Sequence, residues 1–482
     1  MKYDVIIIGS GLGGLTAGAK LSREGKKVLL IEQHDRPGGY ATTFRRGDFT
    51  FEVGLHEMDG PAAGDIKTRI FNDLDVFKSV EFLQVPEFYR FVNGRIDMVI
   101  PHDPVIAAER LSGLFPEEEK GIKAFFDRIT KPVRKPLSGV GPDISIGEFL
   151  DTIIKNEDLK LVLLGNLGYF HDDPYSLSLS YYSAAQGSYF AGGASFIRGG
   201  SQHLSDHLSG FISDHGGEVL LNRTVTGIMT ENSKVTGVTF RRKNDTSSIN
   251  EAFADEVIAN NAMPNVAGLL PENYGNALTN ELKAQKTGAS LLTIYLGFNK
   301  PLRDLGYNYY SASVFDKSIV SQRDIAGNNS GDYRSRSFIF ADYSQVDSRL
   351  APAGKGVGAI CCIDYLKDWE DLERKEYAAK KERVAAIFIK KLEELIPGAG
   401  GIIESYEVGT PSTLRRYTLN PGGAVYGFAQ LPSRQTIDTS ILPDNLHFAS
   451  AWGKTGGGFS GAIYSGYFCA VNILRKTQVH RG

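Results

Sequence analysis

The run Gly9-Ser10-Gly11-Leu12-Gly13-Gly14 is the stretch of this chain best equipped to hold a ligand. It fits the pattern G-x-G-x-x-G, with Gly9, Gly11 and Gly14 in the three glycine slots. The first glycine allows a tight turn, the second lets the backbone approach a pyrophosphate, and the third permits close helix–strand packing. A helix N-terminus behind them favours the anion. Glu32 follows 23 residues after Gly9. A carboxylate at that distance accepts hydrogen bonds from both ribose hydroxyls and disfavours a 2′-phosphate. The chemistry implied is dinucleotide binding, of a nicotinamide or a flavin.

Other residues could act on a substrate. His56-Glu57 places an imidazole that titrates near neutral pH beside a carboxylate able to orient it. The alternative is a satisfied structural histidine next to a solvated glutamate. Lys454 precedes a second glycine cluster, Gly456-Gly457-Gly458-Phe459-Ser460-Gly461. It would either stabilise negative charge on a reduced cofactor or pair with a phosphate. Trp452 walls a pocket or fills a core. Tyr181-Tyr182, Tyr189-Phe190, Tyr309-Tyr310 and Phe298 offer aromatic surface to a long apolar substrate, or simply core volume. His203 and His207 are four apart, but no carboxylate or cysteine is spaced to complete a zinc set, so packing and capping roles are expected and no metal.

These residues need elements to position them. Val5–Ile8 is a short apolar run ending on a glycine, which suits a strand buried on both faces. A helix from about Gly13 to Gly25 and a strand over Lys27–Glu32 complete a βαβ unit. Asn93-Gly94 between Glu87–Phe91 and Arg95–Ile100 predicts a hairpin with positive φ at both central positions. Helices are expected over Pro104–Leu114, Pro116–Ile129, Ile146–Lys155, Asp158–Leu164 and Asp371–Leu395. Strands are expected over Gly217–Leu221, Val225–Thr230, Val235–Phe240 and Asp255–Ala259. A second set covers Leu291–Phe298, Ser337–Asp342, Val357–Ile363 and Ile402–Val408. Asn445–Ser450 is read as a strand feeding the second glycine cluster and a final helix.

Composition narrows the class. The 482 residues carry 42% apolar and 23% charged residues, ordinary globular usage, and suggest two to four structural units. The net charge of −3 gives no footprint for nucleic acid. Three cysteines, two of them adjacent, make no disulfide framework and fit a reducing cytoplasm. Four apolar residues near the start are too few for a secretory signal. The charge-free stretches 174–197 and 455–474 read as too polar to insert and as a buried, cofactor-facing helix, respectively. No second G-x-G-x-x-G and no C-x-x-C occurs, which argues against a disulfide reductase with a separate nicotinamide domain. The electron donor or acceptor is therefore not written in the chain.

Beyond the first βαβ unit come Arg36-Pro37-Gly38-Gly39, Phe51-Glu52-Val53-Gly54-Leu55-His56 and Arg198-Gly199-Gly200-Ser201-Gln202. With Ala254-Asp255-Glu256-Val257-Ile258-Ala259-Asn260 and the 456–461 glycines, the chain resembles the FAD-dependent amine-oxidase-like superfamily, in particular its phytoene desaturase, carotenoid isomerase and retinol saturase group. The resemblance runs from residue 5 to about 475. It implies an α/β fold: a discontinuous, glutathione-reductase-like Rossmann FAD-binding domain at 1–80, 186–288 and 436–482, with an α+β substrate-binding domain at 81–185 and 289–435. It implies FAD as cofactor, with Glu32 at the adenosine ribose, Gln33 among the cofactor-binding residues, and Arg36, Gly38 and Gly39 along the pyrophosphate and ribityl path. Val225 would lie near adenine, and Gly457, Gly458 and Phe459 at the flavin end. Many desaturase relatives carry a His-Pro pair where this chain has Lys454-Thr455.

The activity this implies is redox chemistry on carbon–carbon double bonds of a carotenoid- or retinoid-like polyene or unsaturated lipid. Cis–trans isomerisation, amine oxidation and non-enzymatic flavin or lipid binding remain alternatives. A last expectation concerns peripheral membrane contact. Leu111, Leu114, Phe115, Phe125, Phe126 and Ile129 form apolar faces in the 104–164 block, and Lys131, Arg134 and Lys135 follow to meet anionic headgroups. The alternative is that those faces pack inside the substrate domain.

Overall fold

The computed structural model describes residues 2–131, 143–245 and 247–479. Its first sheet has a parallel half running Glu218–Leu220, Val28–Ile31, Lys2–Ile8 and Asn250–Ala259. Asn250–Ala259 is long enough to serve two neighbours on one side. Its first half pairs antiparallel with Lys234–Arg242, which pairs in turn with Arg223–Glu231. Its second half pairs parallel with Leu446–Phe448. The period of two in a strand sorts the first strand's side chains into two cores. Val5 and Ile7 pack with Leu15 and Ala19 of helix Leu12–Arg23 and Ile463 of helix Gly458–Val479. Ile6 and Ile8 pack on the other face with Val225, Val238 and Met263.

The two helices on the first face approach at backbone distance. A Cβ on Gly466 would lie 2.0 Å from the Gly13 carbonyl oxygen, so no larger residue fits there. Gly14 plays its expected part, since a Cβ there would meet the Gly9 oxygen at 2.2 Å.

The second sheet runs Ile403–Gly409, Ser290–Phe298, Gly356–Asp364, Phe338–Asp342, Ser311–Val314, Tyr89–Val92 and Asp97–Ile100. Alternation again divides its faces. Leu292, Ile294, Leu296, Ile360 and Cys362 pack on Phe388 and Leu392 of helix Arg374–Leu395. Leu291, Thr293, Cys361 and Ile363 face a cavity.

Two expectations are corrected. The Asn93-Gly94 hairpin forms, but four residues separate its strands and only Gly94 has positive φ, at +81°. Asn93 keeps an ordinary φ because its Oδ1 accepts from the Arg95 and Ile96 N–H groups and closes the turn itself. Most of the apolar residues read as faces of the 104–164 block are covered by protein. Leu111, Phe125, Phe126 and Ile129 are buried, with Phe126 edge-on to Phe190, and only Leu114 of those named is exposed. Exposed Lys131 pairs with Asp127 at 3.1 Å, and Arg134 and Lys135 lie outside the described residues. Among the described residues no helix is long and apolar enough to cross a membrane.

Candidate functional site

A cavity of about 670 Å³ opens at the C-terminal end of strand Lys2–Ile8, where open α/β sheets place their ligands. Gly9, Gly11, Leu12 and Gly13 line it, as do Glu32, Gln33, Gly38, Gly39 and Val225. Gly11 caps helix Leu12–Arg23 without any side-chain bond, so the first-turn N–H groups are left for an anion. Asn260 Nδ2 donates to the Gly9 oxygen at 3.0 Å and braces the loop from behind. Glu32 is buried; its Oε2 accepts from Ser10 N and Oγ at 2.8 and 2.7 Å, and its Oε1 from His34 N at 2.8 Å. Asn261 Oδ1 is buried without a partner in the same cavity wall. A pyrophosphate for the free N–H groups, a ribose for Glu32 and a donor for Asn261 are what a dinucleotide such as FAD brings.

Residues missed in the sequence close the site from above. Arg415–Asn420, at the end of helix Pro411–Thr418, line the same cavity from the second-sheet half of the molecule. They are tied down by Asn265 Nδ2 to the Leu419 oxygen at 2.7 Å and by the His34–Tyr417 ring contact. Trp452 is buried, lines the cavity and packs edge-on against Phe428.

A second cavity of about 440 Å³ abuts the first. Tyr40, Gly54, Val425, Tyr426, Gly458 and Phe459 line both and form their common wall. The second cavity is mainly apolar, with Leu167, Phe170, Ile325, Ile339 and Tyr189 among its walls, and Gly457 borders it. Of the aromatic residues singled out, Tyr181 and Tyr189 line it, whereas Tyr182, Phe190, Tyr310 and Phe298 fill cores.

His56 and Glu57 both line this cavity. Burial pushes the His56 ring down to about 4, so it is neutral at pH 7. Burial, and then the nearby Glu87, push the Glu57 carboxyl well above the ordinary range, so it keeps its proton. Neither Glu57 oxygen nor His56 Nδ1 has a hydrogen-bond partner. Glu57 therefore does not orient His56, which corrects the expected division of labour: the carboxyl is the group holding a proton. Glu52, pushed up to about 7 by burial, accepts from Gly54, Leu55 and Ser201 N–H groups and fixes the backbone leading to His56.

Two other predicted residues stand apart. Lys454 is exposed and lines neither cavity, because the turn before Gly456 carries its side chain outward. Arg36 is exposed, and its Nη1 donates to the Thr43 oxygen at 3.0 Å, steadying the 36–43 loop instead of lining the cavity. His207 bonds Ser79 and the Leu74 carbonyl, and His203 packs under Gly199.

Comparison with known proteins agrees with this geometry. The model of the family described as flavin containing amine oxidoreductase matches residues 12–474. Prolycopene isomerase, chloroplastic, from Daucus carota is 27% identical, over 98% of this chain and 80% of its own. All-trans-retinol 13,14-reductase from Danio rerio is 25% identical, over 98% of this chain and 86% of its own. Among solved structures, an oxidoreductase from Methanosarcina mazei has the same fold, with a TM-score of 0.70 at 16% identity, covering 98% of this chain and 100% of its own.

Proposed function

From its membership of the flavin containing amine oxidoreductase family, we propose that this chain, a FAD-dependent oxidoreductase, acts on carbon–carbon double bonds of a polyene or unsaturated lipid. The observation that carries the reading is the apolar cavity sharing a wall with the dinucleotide cavity and holding a neutral carboxyl, Glu57. FAD supplies hydride or single-electron transfer at its ring when bound. Saturating a double bond also requires a proton at carbon, and Glu57 holds one in a place where water is scarce. Neutral His56 lies beside it, and Tyr169 and Tyr343 pack edge-on to the imidazole at 6.0 and 6.3 Å, keeping solvent from the acid. The similarity to a prolycopene isomerase and a retinol reductase supports a polyene over other apolar substrates.

On this reading residues 1–80, 186–288 and 436–482 form the FAD-binding unit, and 81–185 with 289–435 the substrate unit. Supporting this, the first sheet takes its strands from the former set and the second sheet from the latter. The test is anaerobic incubation of dithionite-reduced protein with a series of polyenes, followed by mass spectrometry. A gain of two hydrogens is expected. An unchanged mass with shifted retention reassigns the reaction to cis–trans isomerisation. Hydrogen peroxide release with amines alone reassigns it to amine oxidation.

Glu32→Arg is expected to weaken FAD binding about tenfold to a hundredfold, the value of one charge-assisted hydrogen-bond set, roughly 1.5–3 kcal/mol. The substitution also strips Ser10 of its buried acceptor and brings a cation with no phosphate to meet. Titration of the apoprotein with FAD by fluorescence quenching reads this directly. Wild-type affinity would show that Glu32 does not hold the ribose.

A further inference from the structure

The turn over 450–458 is wedged between the two cavities. Ser450, Ala451 and Trp452 line the dinucleotide cavity, Thr455 and Gly457 line the apolar one, and Gly458 lines both. Lys454, the cation expected here to meet negative charge on a reduced cofactor, points to solvent. A second cation is held against the same turn. Arg434 Nη2 donates to the Gly453 oxygen at 3.0 Å, Nη1 to Gln430 Oε1 at 2.8 Å and Nε to Gln285 Oε1 at 3.4 Å. Its guanidinium lies 5.7 Å from the Phe428 ring centre, and Phe428 packs edge-on against Trp452 at 4.9 Å. Gln430 and the Tyr181 ring close together on Gly456, where a Cβ would meet them at 3.2 and 2.8 Å. Arg434 is thus separated from the dinucleotide cavity by Phe428 and Trp452, and from the apolar cavity by Gln430, Tyr181 and the turn at Gly456.

Every partner of this arginine is neutral. Two side-chain amides and one backbone carbonyl accept from it, and among the described residues no carboxylate lies within ion-pair distance. Arg434 is half-buried, and that burial, opposed only by Tyr181, pushes its pKa down. The guanidinium nevertheless keeps its charge at any ordinary pH. Burial pushes the Tyr181 hydroxyl up to about 12, so it offers no negative charge at pH 7. The other deeply buried cations are neutralised: Lys67 by Asp59 at 2.5 Å, Lys160 by Asp151 at 2.7 Å and Arg336 by Asp364 at 2.9 Å. A partly desolvated charge with no counterion is costly to keep, and its field reaches further than that of a neutral pair. FAD that takes up two electrons and one proton carries one more negative charge than its oxidised form. That charge is the counterion Arg434 lacks.

We propose that Arg434, and not Lys454, compensates the negative charge of reduced FAD. It lines neither cavity, so it acts by its field across the 450–458 turn and the Phe428–Trp452 pair, without contact. It favours reduced over oxidised cofactor and raises the reduction potential. This rests on FAD in the first cavity and not on a polyene in the second, so a failed polyene assay leaves it standing.

The test is the reduction potential of bound FAD, read by flavin absorption during anaerobic titration of the FAD-loaded protein against a reference dye. Arg434→Gln is expected to lose about tenfold in preference for reduced over oxidised FAD, a fall of ~30 mV for a two-electron couple. Arg434→Lys retains the charge and is expected to retain most of the potential. Gln285→Glu sets a carboxylate against an otherwise native Arg434 and is expected to lower the potential as well. Lys454→Gln is expected to leave it unchanged. A wild-type potential in Arg434→Gln overturns the assignment. So does an equal fall in Arg434→Lys, which would trace the effect to lost packing and not to charge, or an equal fall in Lys454→Gln. If Arg434→Gln does not fold, Gln285→Glu decides, and a wild-type potential there overturns the assignment.

Discussion

Replacing Glu57 by Gln is expected to slow turnover of a polyene substrate by about 10²–10⁴-fold, the usual contribution of a positioned proton donor, while making the folded protein more stable as pH rises. Both effects come from one proton. The native carboxyl stays protonated because burial removes its solvation and Glu87 adds a like charge, whereas in the unfolded chain it ionises above its ordinary value of 4.5. Above that pH the native state binds more protons than the unfolded one, so stability falls with rising pH, by about 1.4 kcal/mol per unit, until the native carboxyl itself titrates. Gln is nearly isosteric, stays neutral in both states and removes this slope. Other titrating groups are common to the two proteins and cancel in the difference. Urea denaturation of both proteins at several pH values between 5 and 8 measures it. The stability gap should widen in favour of Glu57→Gln as pH rises. Parallel curves would mean that Glu57 is ionised in the native protein, and the proton-donor role would go with it.

The parts of the site legible in the sequence were those built from neighbours in the chain. Gly9–Gly14 and Glu32 follow one another through a single βαβ unit, so their spacing alone places a phosphate and a ribose on one sheet edge. Six of the seven second-sheet strands were legible for the same reason, as runs such as Leu291–Phe298 bounded by polar turns, whereas the short Ser311–Val314 was not read. What escaped depends on residues brought from far away. The proton on Glu57 exists because Glu87 and the buried tyrosines of other segments surround it, and nothing in His56-Glu57 itself says that neither will find a partner. Arg415–Asn420 reach the dinucleotide cavity from more than 400 residues beyond the glycine loop and carry no nucleotide motif. The apolar faces of 104–164 show the same limit. Amphipathicity says that a face is covered, not whether lipid or Tyr182 and Phe190 cover it. Lys454 was placed by its distance from the glycine cluster, but one turn sets its direction, and it points to solvent.

Lys67→Met is expected to destabilise the protein by about 3–5 kcal/mol, the cost of breaking a buried ion pair by removing one partner. Lys67 is wholly buried, with Nζ 2.5 Å from Asp59 and 2.7 Å from Asp65, and it donates to Tyr464 OH at 3.3 Å. Burial would lower its pKa, but Asp59, Tyr464 and Asp65 outweigh that and keep the ammonium charged. Asp59 also accepts from Ser460 Oγ in the first turn of helix Gly458–Val479. The cluster thus fastens the segment just after His56-Glu57-Met58 to the glycine-rich start of the last helix, between them two walls of the apolar cavity. Met fills much of the lysine volume, so the loss comes from Asp59 and Asp65 left without a cation and not from a void. That distinction is testable. Combining Lys67→Met with Asp59→Asn removes the more deeply buried unpaired charge, and the double variant is expected to recover part of the loss. Urea midpoints of Lys67→Met, Asp59→Asn, the double variant and the wild type give the answer. If the double variant is less stable than Lys67→Met by the full cost of Asp59→Asn alone, the two residues are not coupled. The hold on the last helix would then come from backbone contact at Gly466 and not from the ion cluster.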